Sequence, residues 1–422
     1  AGVLGPPAIG APMSGTSTPR SVSNDTGAPA AGYGPQGRVG GAGRSAEGSG
    51  SVKGGMVDAS TTFNHVQAAT GAGGDRSDMA PFELGIDTFG DVTLDGEGEP
   101  LADARVIRNV VEEGVLADQV GLDVIGIGEH HRADFAVSAP DVVLAAIAGQ
   151  TDRIRLASAV TVLSSDDPVR VFQRFATLDA VSGGRAEVIL GRGSFTESFP
   201  LFGYDLGDYE TLFDEKLDLF AALRAEEPVT WSGSTRTALQ DQVVIPRTAG
   251  GLRTWVGVGG NPQSVVRAAH HDLPLMLAVI GGQPLAFAPL VDLYRRAQAQ
   301  FGHRTATVGM HSHGFVGRTD EEAREELWPH YAAVQARIGR ERGWAPMSRA
   351  QFDAATGPDG ALYVGAPDTV ADKIVRVART LGLDRFDMKY SSGTLPHEAL
   401  MQSIELYGAK VAPLVRAELD RR

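Results

Sequence analysis

The chain has 422 residues, a formal net charge of −14 and a sequence pI of about 5.2, a balance that argues against nucleic acid or an anionic membrane surface as partner. It contains no cysteine, which excludes disulfide frameworks, thiolate nucleophiles and Cys-ligated zinc or iron–sulfur centres. A hydrophobic content of 42% supplies a core, and no uncharged apolar run of about 18 residues predicts a spanning helix.

Residues 1–80 hold 18 Gly and 6 Pro, with Tyr33 and Phe63 as the only Phe, Trp or Tyr. Runs such as Gly40-Gly41-Ala42-Gly43 and Gly71-Ala72-Gly73-Gly74 have neither helical nor strand periodicity. Such composition cannot bury enough apolar surface to offset about 1–2 kcal/mol of backbone entropy per residue. The expectation is a low-complexity, disordered extension, or sequence upstream of a start at Met56 or Met79. Five basic and five acidic residues cancel there, so the net −14 belongs to residues 81–422. The stretch has no basic end followed by an apolar core and does not read as a signal peptide. The missing cysteine is compatible with the cytoplasm, the compartment expected here.

From Pro81 onward short apolar runs alternate with helical patterns. Phe82–Phe89 reads as a strand, Asp103–Gln119 as a helix, Leu122–Ile127 as a strand and Ala139–Ala148 as a helix. Ile154–Leu163 is a third strand, rich in β-branched residues, before a helix opening at Asp167-Pro168, a natural cap followed by a first-turn proline. Arg185–Leu190 is a fourth strand. Thr254–Val258, Leu275–Ile280, Thr307–Val316 and Phe386–Tyr390 continue the series. Helices are expected near Pro262–His271, Pro284–Gln300, Asp320–Ile338, Thr369–Thr380 and Pro396–Lys410. Strands alternating with helices imply parallel βα units, and eight of them suit an α/β protein built as a (β/α)8 TIM barrel of about 250 residues with insertions. A doubly wound open sheet is the competing geometry. Residues 340–360, long and irregular between helices, are a candidate lid.

In a barrel the site gathers at the C-terminal ends of the strands. Four clusters fall there. Glu129-His130-His131-Arg132 follows the second strand and offers acid/base groups near neutral pH. Gly191-Arg192-Gly193-Ser194 ends the fourth strand, where glycines admit close approach and Arg192 supplies a fork suited to phosphate. Gly257-Val258-Gly259-Gly260-Asn261-Pro262-Gln263-Ser264 joins the fifth strand to a helix start, a phosphate-sized anion site. His311-Ser312-His313 puts two rings on one face of the seventh strand, a pattern read as core or substrate-pocket histidines rather than metal ligands, because no third ligand stands at fixed spacing. Together, a basic fork and a helix start on one rim suggest a phosphate-bearing ligand with the histidines near its reactive end.

These residues resemble a known family. Residues 82–415 are similar to the bacterial-luciferase-like flavin monooxygenases, which are (β/α)8 barrels. The similarity lies in EHH at 129–131, SAVTVLSSDDPVRVFQRFATLDAVSGGRAEVILGRG at 158–193, VGVGGNPQSVVRAA at 256–269 and VGAPDTVADKI at 364–374. The resemblance implies FMN as cofactor, reduced to FMNH2 during turnover, and O2 as co-substrate. A C4a-(hydro)peroxyflavin would then oxygenate a small organic substrate. It implies that Arg192 and the Ser194 backbone hold the FMN phosphate, with Gly260, Asn261 and Ser264 as the second phosphate segment. Ala159-Val160 matches a position where family members often carry a cis non-prolyl peptide beside the isoalloxazine ring. His130 matches the catalytic histidine, and His131 is its companion. A homodimer and a separate NAD(P)H:flavin reductase also follow from the resemblance. One departure concerns Glu210: luciferase has a further basic phosphate contact in this region, whereas this chain has acidic Asp208 and Glu210.

Three rival readings remain at this level. One is an F420-dependent dehydrogenase on the same barrel, another a non-catalytic FMN-binding protein. The third is a metal-dependent hydrolase using His130, His131, His311 and His313.

Overall fold

Parallel strands need a crossover between neighbours, and the βα rhythm supplies one at every step of the computed structural model. The structure describes residues 81–420 except Gly96, Ser194, Arg304 and Thr305. Residues 1–80, and with them the expected extension, lie outside the described residues. The eight principal strands are β1 (Glu83–Thr88), β2 (Val124–Ile127), β3 (Arg155–Ser158), β4 (Ala186–Gly191), β5 (Arg253–Val258), β6 (Leu275–Val279), β7 (Val308–Val316) and β8 (Arg385–Lys389). Each pairs in parallel with the next. β8 pairs with β1, Glu83 opposite Arg385 and Asp87 opposite Lys389, and this last ladder closes a (β/α)8 TIM barrel.

The covering helices are α1 (Asp103–Gln119), α2 (Pro140–Ala148), α3 (Pro168–Ser182), α4 (Tyr209–Leu223), α5 (Pro262–His270), α6 (Ala288–Phe301), α7 (Asp320–Arg342), α8 (Pro367–Leu381) and α9 (His397–Leu406). α3 shows why the boundaries fall where they do. Asp167 accepts from the backbone N–H of Val169 at 3.0 Å and Arg170 at 3.1 Å, Pro168 opens the helix, and Gly183 ends it at φ +70°, the left-handed stop that glycine adopts without penalty. Among the described residues no helix is long and apolar enough to cross a membrane.

Two expectations need correction, and one of the expected insertions takes a definite form. The third strand is not continuous to Leu163: it stops at Ser158, the Ala159–Val160 peptide is cis as the resemblance implies, Thr161–Val162 pairs with Leu190 and Gly191 of β4, and Leu163–Ser165 is a 3-10 turn. A short antiparallel hairpin, Val229–Trp231 with Leu239–Gln242, is inserted between α4 and β5. Residues 340–360 are not irregular throughout, because Arg349–Thr356 is helical and opens with a capping box between Ser348 and Gln351. Phe352 of that helix is fully buried, against Trp328 and Tyr331 of α7.

The barrel interior is layered. At the N-terminal mouth, Arg385 donates to Glu187 at 2.6 Å and to Asp387 at 2.7 Å, and Arg253 donates to Glu83 at 2.7 Å and Glu187 at 2.9 Å. Above this ionic layer Ile189, Trp255 and Met276 form an apolar plug with Val160. The C-terminal end above the plug is where the remaining reactive side chains collect.

Candidate functional site

Gly128 follows β2, and a Cβ there would come within 2.4 Å of the Phe89 ring and 2.5 Å of the Ala159 carbonyl oxygen. The chain can pass between its neighbours only as glycine, and the next three residues fan out at the rim. His130 stands among three aromatic rings: Phe89 edge-on at 4.8 Å, Phe195 edge-on at 5.1 Å and Phe135 tilted at 4.6 Å. Its Nδ1 lies 3.2 Å from Glu197 Oε1. That pairing orients the imidazole and leaves Nε2 for proton exchange. Burial raises the Glu197 carboxyl, but the hydrogen bond to His130 and backbone N–H groups outweigh it and hold the group below the usual carboxylate range.

The flanking residues differ from His130. Burial pushes the His131 imidazole below its ordinary value, its Nε2 has no hydrogen-bond partner, and Phe202 packs edge-on at 4.9 Å. Glu129 accepts from the Val162 N–H at 3.1 Å, and burial, helped by the charge of Asp166, pushes its carboxyl up to about 7. Arg132 donates to Glu341 in the last turn of α7 at 2.5 Å and stacks 4.6 Å from the Phe195 ring. The end of α7 thus adjoins the His130 wall.

The cis Ala159–Val160 peptide leads into the opposite wall. A Cβ at Gly191 would meet Val160 Cγ2 at 2.5 Å, and one at Gly257 would meet Val160 Cγ1 at 3.1 Å. Two bare strand ends therefore flank the Val160 side chain, making a low apolar floor above the Ile189, Trp255 and Met276 plug. Beyond it, Asn261 caps α5 by accepting from Gln263 N–H at 2.8 Å. The cap uses only the amide oxygen, so the Asn261 Nδ2 donors and the backbone N–H groups are what this turn can offer an anion. Gly260 has φ +126°, and neither Gly259 nor Gly260 has any atom within 4 Å of a built Cβ. That open backbone fits the approach of a phosphate group. Ser264 is buried, with Oγ 3.4 Å from Arg267 Nη1.

Arg192 stacks on the Tyr209 ring at 5.2 Å and ion-pairs with Glu210. Glu210 also lies 3.4 Å from Arg267, which pairs with Asp214 as well. The structure therefore brings Arg192 and the start of α5 together, and Phe195 and Glu197 carry the chain from Arg192 to the His130 wall. Ser194 lies outside the described residues. Sequence reasoning missed Arg267, Glu197 and Asp87; only Arg267 had a signal, three residues after Ser264 and hence on the same helix face.

His311 Nδ1 lies 2.7 Å from Asp87 Oδ2. Burial lowers this imidazole, but the Asp87 carboxylate outweighs it and the net effect is upward. His313 packs 6.1 Å from His311 and 5.9 Å from Tyr331, and burial, with Lys389 and His311 nearby, holds it down at about 3. Among the described residues no three His, Asp or Glu side chains converge as a metal-binding set.

A sequence model described as luciferase-like monooxygenase matches residues 87–385. The chain belongs to the luciferase-like monooxygenase family. It is accordingly an oxidoreductase. The 4-hydroxyprotoasukamycin monooxygenase of Streptomyces nodosus subsp. asukaensis is 28% identical over 335 residues, 72% of this chain and 85% of that one. The oxygenating constituent of 3,6-diketocamphane monooxygenase from Pseudomonas putida, solved in complex with FMN, superposes with a TM-score of 0.65 at 20% identity, over 79% of this chain and 98% of that one. An F420-dependent secondary alcohol dehydrogenase does so with a TM-score of 0.62 at 15% identity, over 80% and 99%. At these identities the two structures speak for the shared barrel alone.

Proposed function

We propose that this luciferase-like family member is an FMN-dependent monooxygenase that uses O2 to oxygenate a small organic substrate. The observation that carries the reading is the pairing, at one end of one barrel, of a phosphate-sized cradle with an oriented histidine. Arg192, Ser194 and the backbone from Gly260 to Ser264 would hold the FMN phosphate. Ala159 and Val160 would underlie the ring. Reduced FMN, when bound, supplies the electrons and the site of oxygen activation. The protein's share is orientation, exclusion of water by the Phe89, Phe135 and Phe195 wall, and proton control. In this reading His130 is the proton-transfer residue, working through Nε2, and Glu197 is the positioning residue that holds Nδ1.

A separate NAD(P)H:flavin reductase that supplies the reduced flavin is part of the proposal. A homodimer is part of the same proposal. It is supported by a groove of about 510 Å3 between α2 and α3, lined by Val142, Ala145, Leu178, Val181 and Ile245.

Anaerobic titration with reduced FMN, followed by rapid mixing with O2, tests the reading. Saturable binding is expected, with flavin reoxidation distinct from that of free FMNH2. His130→Ala should change the protein-bound reoxidation rate by about 10²-fold or more while leaving binding within a few-fold of wild type. Saturable binding of F420 in place of FMN would move the assignment to a dehydrogenase. Reoxidation at the free-flavin rate, unchanged in His130→Ala, would leave only a flavin-binding protein.

A further inference from the structure

Glu210 stands in the first turn of α4, with Asp214 one turn later on the same face. Its carboxylate bridges two guanidinium groups, pairing with Arg192 and lying 3.4 Å from Arg267 Nη2. Arg267 is fixed from its other sides by Asp214 and by Ser264 Oγ at 3.4 Å. Two arginines and two carboxylates leave this cluster electrically neutral. The two arginine side chains are only 20% and 14% exposed, whereas Glu210 is 52% exposed. The guanidinium groups are thus held in place, while the carboxylate between them can turn to water at little cost.

Carboxylates and phosphates engage an arginine fork through the same N–H donors in the same geometry. We propose that Arg267 is a second arginine of the flavin-phosphate site, and that Glu210 is an internal anion competing with the incoming phosphate for both guanidinium groups. The proposal rests on the reading above, in which Arg192 and the start of α5 receive that phosphate. A flavin monophosphate carries nearly two negative charges at neutral pH, so every bound phosphate must displace Glu210 or lie against it. The result is a site that recognises the phosphate yet holds it with moderated affinity. Such a site suits a flavin that arrives from another protein and leaves again.

FMN and riboflavin share the ring and differ in the phosphate, so the ratio of their affinities isolates this site. Oxidised FMN and riboflavin would be titrated by fluorescence quenching against the full chain. Glu210→Gln should tighten FMN about five- to tenfold, and Arg267→Gln should weaken it about tenfold, the scale of one charge-assisted contact. Riboflavin affinity should stay at the wild-type value in both, which also establishes that the variants are folded. If Arg192→Gln collapses the FMN preference while Glu210→Gln and Arg267→Gln leave it untouched, the two-arginine proposal is wrong and the phosphate reading survives. If the wild-type chain binds FMN no better than riboflavin, both fall together.

Discussion

Glu129 and His130 are adjacent in sequence, yet their surroundings divide the rim into a dry side and a working side. Glu129 turns towards Val162 and Asp166, where burial favours its neutral form and pushes it up to about 7. His130 turns into the aromatic wall and is tied to Glu197. The elevated carboxyl has a cost that depends on pH. The unfolded chain releases the Glu129 proton near pH 4.5, whereas the folded chain keeps it until about 7. Between those values the native state binds more protons, so stability from this group falls as pH rises and levels off above about 7. Glutamine keeps an acceptor for the Val162 N–H and cannot ionise. Glu129→Gln is therefore expected to raise unfolding stability by about 2–3 kcal/mol at pH 8 and by less than about 1 kcal/mol at pH 5. Urea unfolding at the two pH values checks this, and an equal effect at both would refute it. Burial also lowers the His131 and His313 imidazoles, whereas the Asp87 carboxylate holds His311 upward, so the strand-end histidines do not share one environment.

At the scale of elements, β4 and β8 meet across the barrel through Glu187 and Arg385, both fully buried. Burial alone would raise the Glu187 carboxyl, but Arg385, Arg253 and Arg155 together hold it below its usual range. Its ionised form therefore contributes stability above the unfolded value near 4.5, lost as pH falls through the lower folded one. Glu187→Gln leaves three guanidinium groups to share Glu83 and Asp387, and Trp255 Nε1 with a poorer acceptor. A cost of about 3–5 kcal/mol is expected, the range for removing one partner of a buried pair, read as a lower urea midpoint at pH 7. A loss below about 1 kcal/mol would mean that water reaches this layer. The same layer explains a limit of sequence reasoning. Glu83, Glu187, Arg253 and Arg385 read as ordinary strand-start charges, because nothing in a linear pattern says that barrel closure brings all four to one axis.

For the molecule as a whole, the barrel was legible because apolar runs alternate with helical patterns, several opened by a proline such as Pro140, Pro168, Pro262 and Pro367 and several stopped by a glycine such as Gly183, Gly302 and Gly382. The break after Ser158 was not legible in composition, since Thr161 and Val162 do form a short strand beyond it, and only the resemblance at Ala159-Val160 pointed there. The strand-end placement of His130, Arg192 and Asn261 was legible. A pairing was hidden where the partner comes from afar: Glu197 lies 67 residues from His130, and Asp87 lies 224 from His311. Assembly belongs to this largest scale. A chain carrying −14 repels its own copy, so a proposed homodimer needs an apolar contact to overcome that term. The groove between α2 and α3 offers one: Val142, Val181 and Ile245 are 65%, 60% and 66% exposed, rimmed by Asp141, Arg170 and Arg174. Both signs of charge on one rim let a two-fold axis pair acid with base across the contact, the self-complementarity an isologous interface requires. If α2 and α3 form that interface, Val142→Asp with Ile245→Asp places buried, unpaired charges on both sides of the axis at once. Light scattering should then report a monomer of about half the wild-type mass at micromolar concentration, with the circular dichroism of the barrel unchanged. A wild-type chain that is already monomeric, or a double variant that still pairs, would remove this face from the assembly.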